Sequence, residues 1–113
     1  MHEFSITQSI LSIALEQAEA ARANKIVNIN ITVGNLAGIV DDCVQFYFDI
    51  ISKDTIAADA SLCFERIPAR VRCRNCNTTF SPEDLDWSCP DCHEQKVEIV
   101  SGRECSITSI EVD

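Results

Sequence analysis

Two Cys-x-x-Cys pairs, Cys73-Arg74-Asn75-Cys76 and Cys89-Pro90-Asp91-Cys92, stand twelve residues apart and constrain this chain more than any other feature. In such a knuckle the backbone turn lets both sulfurs face one point. Two knuckles then supply a tetrahedron of thiolates, with Zn–S distances of ~2.3 Å. The spacing predicts a structural zinc site held by all four cysteines. Disulfides or a redox pair are the competing readings, but a thioredoxin-like site needs one Cys-x-x-Cys and here two share one short segment. A closed four-thiolate shell leaves no open position for chemistry, so this site predicts a staple, not a catalyst.

The chain has 113 residues, enough for one modest domain plus a small metal-stapled lobe. Its hydrophobic share of 46% suits a folded globular protein and is too high for a disordered one. No apolar run approaches the ~20 residues that span a bilayer. Seven cysteines, without a basic or apolar leader at Met1-His2-Glu3-Phe4, point to a reducing compartment, and we expect a cytoplasmic protein. The formal charge is −9, and a zinc–tetrathiolate would make it about −11. Such a field repels phosphate backbones, so no nucleic-acid partner is expected. Arg70, Arg72 and Arg74 crowd the first knuckle and are expected to offset the thiolate charge.

Hydrophobic periodicity predicts a helix over about 5–23, capped by Ser5 with Gln8 and burying Ile6, Ile10, Ile13, Ala14 and Ala18. Lys25–Val33 alternates Val27, Ile29, Ile31 and Val33 with polar residues, the pattern of a strand with one buried face. A second helix over about 42–53, capped by Asp41 or Asp42, places Val44, Tyr47, Phe48 and Ile51 inward. Phe46, Phe48 and Phe64 are expected in or near the same core. A strand over 61–72 carries Pro68, which demands a bulge or an edge. Strand character returns at 97–112, with a parity slip near Ser109, so the cysteine segment is an insertion whose two stems can pair. The expected fold class is therefore α+β. A small sheet of about three strands packs with two helices, and a four-cysteine zinc-ribbon-like lobe is inserted. Cys43, Cys63 and Cys105 are expected to be buried small hydrophobes. The acidic pairs Asp41/Asp42 and Glu83/Asp84 read as solvated or capping groups. With two histidines and no nucleophile, phosphate-loop or metalloprotease motif, the chain is not expected to be an enzyme.

His2 is the other residue that invites chemistry. It adjoins the α-amine, and a bulky second residue protects Met1 from removal. Amine, imidazole and the deprotonated amide between them close small chelate rings, and the Glu3 amide completes a square plane. Such nitrogen coordination suits Ni(II) or Cu(II) and not Zn(II).

Met1-His2-Glu3, the strand ending in Val33-Gly34, the Cys-x-x-Cys pairs and the closing Gly102-x-Glu104…Ile110-Glu111-Val112 together resemble the HypA/HybF family of hydrogenase nickel-insertion proteins. The likeness extends over essentially the whole chain. It implies nickel as transient cargo held by Met1, His2 and Glu3, and zinc held by Cys73, Cys76, Cys89 and Cys92. It implies a nickel-binding domain of residues 1–72 and 95–113 and a zinc-binding domain of residues 73–94. The implied partners are a GTPase accessory protein and the large subunit of [NiFe] hydrogenase, with the urease machinery for some members. His93 stands where a glycine is common, and Cys105 where a leucine is. His93 is also a candidate replacement or competing zinc ligand. The reading that follows is a metallochaperone delivering nickel to apo-hydrogenase by ligand exchange. The alternatives are a zinc-ribbon interaction adaptor with no nickel role and a thiol oxidoreductase using Cys89 and Cys92.

Overall fold

A computed structural model describes residues 3–82 and 86–113. In chain order the elements are α1 (Glu3–Ala20), β1 (Ile26–Gly34), α2 (Asp41–Ile51), β2 (Ser61–Ile67), β3 (Arg70–Cys73), β4 (Thr79–Phe80), β5 (Val97–Ser101) and β6 (Cys105–Val112). Two three-stranded sheets result, ordered β2-β1-β6 and β4-β3-β5, and with the two helices they make the α+β class. The chain divides into two compact units. One comprises Met1–Thr32, Gly38–Glu65 and Ser106–Asp113, the other Val33–Ala37 and Arg66–Cys105. The segment 73–94 lies wholly within the second, together with its flanking strands.

In the first unit, α1 buries Thr7, Ile10, Ala14 and Ala18, one residue per helical turn. The buried stripe is rotated from the expected one, because Thr7 is inside while Ile13 is 43% exposed. The Thr7 hydroxyl donates to the Glu3 carbonyl, so its burial leaves no orphan polar group. Ser5 is not the cap, since the helix already begins at Glu3, whose carboxylate suits the positive end of the dipole. The helix also stops short of residue 23. Arg22 takes a left-handed φ of 54°, with Ala23 N–H to Ala18 O at 2.9 Å and Arg22 N–H to Glu19 O at 3.0 Å, a Schellman termination.

Helix α2 opens on Val40 in extended conformation, so the N-cap is Val40, not Asp41 or Asp42. Those two acids occupy its first turn, where the dipole favours them. The Val40 N–H donates instead to the Glu3 carboxylate at 3.4 Å, a cap from another helix that local sequence cannot announce. Val44 and Phe48 are fully buried and join Ile26, Ile29, Ile31, Ala57, Ala60 and Leu62 in the core. Each large side chain removed from water here contributes about 1.5–3 kcal/mol. Phe46, expected near the core, is 62% exposed, and Val27 is turned out while Ile26 takes the inward place. Ile26 is fixed by its N–H to Ile56 O at 2.9 Å. The other face of β1 carries Asn28 and Asn30, which bond to each other at 2.8 Å, and Asn30 also bonds Ser109 of β6 at 2.9 Å.

The strand expected over 61–72 is two strands in two sheets, because Pro68 breaks the ladder between β2 and β3. β2 is indeed at an edge, and a register shift marks Arg70/Val71. In the second unit the stems pair antiparallel as β3 and β5, with Val71 opposite Ile99 and Cys73 opposite Val97. β4 closes the other side, Val71 opposite Phe80. Val71 is fully buried between them. The run expected from 97 onward breaks at Gly102, whose φ of 116° excludes other residues. A Cβ on Gly34 would collide with the Gly102 carbonyl, so this junction requires both glycines. Among the described residues no helix is long and apolar enough to cross a membrane.

Candidate metal centre

The two knuckles repeat one local design. In the first, Cys73 N–H donates to Thr78 O at 2.8 Å and Asn77 N–H donates to Cys73 O at 2.8 Å. In the second, Cys89 N–H donates to Glu94 O at 2.8 Å and His93 N–H donates to Cys89 O at 2.9 Å. The fifth residue of each turn is left-handed, Asn77 at φ 64° and His93 at φ 63°. Each turn thus satisfies its own backbone polar groups while both thiols project to one side.

The four sulfurs of Cys73, Cys76, Cys89 and Cys92 all lie within 4.8 Å of one another. Cys73 to Cys92 and Cys76 to Cys89 are each 3.5 Å. A sulfur–sulfur bond is ~2.05 Å, so these are not disulfides. A tetrahedron with Zn–S of ~2.3 Å has sulfur–sulfur edges of about 3.8 Å, inside the observed span. Cys73 and Cys89 are buried, Cys92 half-buried and Cys76 exposed. Hydrogen bonding with the Thr78 side chain and backbone lowers the Cys76 thiol to about 6. Desolvation raises Cys89 to about 11. A dication would take both as thiolates, and four soft sulfurs in a closed shell fit zinc.

Sequence reading missed the brace between the knuckles. The Thr78 hydroxyl lies 3.2 Å from the Cys76 sulfur and donates to the Asp91 carboxylate at 2.8 Å, tying the first turn to the second. A Thr two residues after a knuckle cysteine, with an acid inside the other knuckle, was the available signal. His93 is exposed and lies outside the four-sulfur group; what it supplies is the left-handed turn. Two of the arginines beside the first knuckle also have a partner on β5. Arg72 pairs with Glu98 across the β3–β5 ladder, and Arg74 lies 4.0 Å from the same carboxylate. Cys43, Cys63 and Cys105 are all exposed, not buried. Cys43 is on the outer side of α2 and Cys105 begins β6, while Cys63 donates to the Asn28 side chain at 3.1 Å on the polar face of the sheet.

Of the expected nickel donors, Met1 and His2 lie outside the described residues, as do Glu83 and Asp84. Glu3 sits in the first turn of α1, where its amide is not part of the i→i−4 ladder. Backbone hydrogen bonds, its own N–H foremost and that of Val40, hold the Glu3 carboxyl below its usual range.

Comparison with known proteins agrees with this arrangement. The family model described as hydrogenase/urease nickel incorporation, metallochaperone, matches residues 1–112. A hydrogenase maturation factor HypA from Dehalococcoides mccartyi is 47% identical over 113 residues, covering all of this chain and 95% of that one. Its namesake from Caldanaerobacter subterraneus subsp. tengcongensis is 37% identical, with both chains fully covered. The solution structure of the nickel metallochaperone HypA from Helicobacter pylori superposes with a TM-score of 0.70 at 26% identity, over 99% of this chain and 97% of that one. The chain belongs to the HypA family of hydrogenase nickel metallochaperones.

Proposed function

We propose that this chain binds Ni(II) at its amino terminus and delivers it to apo-[NiFe] hydrogenase, while zinc on Cys73, Cys76, Cys89 and Cys92 sets the shape of the second unit. The single observation that carries the reading is the family match, which runs from residue 1 and so spans Met1, His2 and Glu3. The chemistry of those donors supports it. The Met1 amine, the backbone nitrogen and imidazole of His2, and the Glu3 amide form a square of nitrogens that suits Ni(II). Releasing the Glu3 amide to a metal breaks no helical hydrogen bond. The four cysteines offer the ion no labile position, so cargo and staple stay separate.

Delivery proceeds by ligand exchange. The donors at a chain end are removed one at a time by protons, and a recipient with better ligands takes the ion. The recipient is the hydrogenase large subunit, with a nickel-insertion GTPase as accessory partner and the urease machinery as a second recipient in some relatives. The protein works in the cytoplasm without nucleic acid or membrane, and it turns over no substrate. Residues 1–72 and 95–113 form the nickel-binding domain, and the segment 73–94 is the zinc-binding domain.

One extra glycine placed before Met1 tests the site. The extension moves the amine out of the chelate, so titration followed by the square-planar absorption of Ni(II) should show binding near one equivalent lost or strongly weakened. Unchanged nickel affinity in the extended chain would refute an amino-terminal site.

A further inference from the structure

The outer face of α2 exposes large apolar side chains. Phe46, at 62% exposure, is the most exposed of the large apolar residues among those described, and Ile50 one turn on is 49% exposed. Asp42 and Asp49 flank Phe46 at helical spacing on the same exposed side. The stripe Asp42, Phe46, Asp49 and Ile50 makes a ridge about 12 Å long. It is extended sideways by aromatic contacts: Phe46 meets Tyr47 at 5.6 Å between ring centroids, and Tyr47 meets Phe4 of α1 at 5.3 Å, both edge-to-face. Phe4 is itself 45% exposed, and Val40 at the start of α2 is 53% exposed. Three aromatic rings at the surface, locked edge-to-face, cost a protein solubility unless something covers them.

Charge decides what the cover is. No Lys or Arg lies on α2. The first unit holds eleven of the eighteen acidic residues and three of the nine basic ones. A second copy would oppose acid to acid, and an anionic membrane would be repelled in the same way. We infer that the α2 face, centred on Phe46 with Phe4 and Tyr47 beside it, docks an amphipathic helix of a protein partner whose apolar stripe is flanked by Lys and Arg. The apolar side chains of that helix would lie over Phe46 and Ile50. Its cations would pair with Asp42 and Asp49 and contact the ring faces. Phe4 follows the proposed nickel donors directly in sequence, so a partner held here is tethered close to the cargo. The surface itself does not depend on the nickel reading, because it rests on exposure and charge alone.

The test uses the full-length, zinc-loaded, ¹⁵N-labelled protein and two synthetic helical peptides of about 18 residues, each with a leucine stripe, one flanked by Lys and one by Glu. The Lys-flanked peptide should shift the amides of Asp42–Ile50 and Phe4, and its binding should weaken as salt rises past about 0.15 M. Phe46→Ser should reduce its affinity about tenfold or more. The double variant Asp42→Asn, Asp49→Asn, which keeps side-chain shape, should remove most of the salt dependence. Equal binding of the Glu-flanked peptide, shifts on another face, or unchanged affinity in Phe46→Ser would overturn the inference. So would self-association through α2 or binding of anionic vesicles at this face.

Discussion

Replacing His93 separates a backbone role from a ligand role at the metal centre. His93 has φ of 63°, and its N–H closes the second knuckle on Cys89 O. A left-handed conformation costs an ordinary L-residue about 1–2 kcal/mol, and glycine adopts it freely. Against that gain stands the greater freedom of glycine in the unfolded chain, about 0.5–1 kcal/mol. His93→Gly should therefore favour the closed knuckle by about 0.5–1 kcal/mol, which is about a two- to fivefold gain in zinc affinity where folding and metal binding are one event. His93→Val puts a β-branched residue in the same place and should cost about 1–3 kcal/mol. Asn77→Gly should change less, since asparagine tolerates this region. Competition with a zinc chelator, read by a chromophoric indicator, measures all three. A tenfold loss of zinc in His93→Gly would make the imidazole a ligand and refute the backbone account. Unchanged affinity in His93→Val would refute the need for the left-handed turn.

Cys76→Ala or Cys92→Ala should lose the zinc and unfold the segment around 73–94, seen as metal content falling to zero with loss of knuckle amide dispersion, while the α1 and α2 signals persist. Phe48→Ala empties a fully buried aromatic site and should cost about 3–5 kcal/mol in denaturant unfolding monitored by circular dichroism. The Glu104 carboxyl is held below its ordinary 4.5 by backbone N–H groups, its own first and then that of Gly102 at 2.5 Å. A depressed carboxyl contributes stability above its unfolded value and loses it as pH falls through the folded value. Glu104→Gln should thus flatten the acid limb of the stability curve below about pH 4.5, and an unaltered limb would contradict that cause.

The parts of this fold that were legible in the sequence are those encoded by local spacing. Two Cys-x-x-Cys pairs announce a four-sulfur cluster because each knuckle is closed by its own backbone. Ile29, Ile31 and Val33 announce a buried strand face because the period of two admits no other. The pairing of the two stems followed from the cysteines' being inserted between strand-like runs. What escaped depends on distant contacts. The cap of α2 comes from Glu3, thirty-seven residues away. Thr7 displaces Ile13 from the core because its hydroxyl finds a carbonyl within its own helix. Pro68 marks a disturbance in any ladder, but whether it bends one strand or divides two sheets depends on what lies opposite. Cys43, Cys63, Cys105 and Phe46 are apolar by type and exposed in fact, and composition cannot tell a buried apolar residue from one reserved for a surface.

Nickel binding to His2→Ala beside the unaltered chain, with zinc measured in the same samples, tests the central claim most directly. The account predicts about one Ni(II) per unaltered chain, lost as pH falls through the histidine range near ~6.5. In His2→Ala it predicts sharply weakened nickel binding with one zinc retained, since the two sites share no donor. Wild-type nickel affinity in His2→Ala would contradict it and leave only a zinc module.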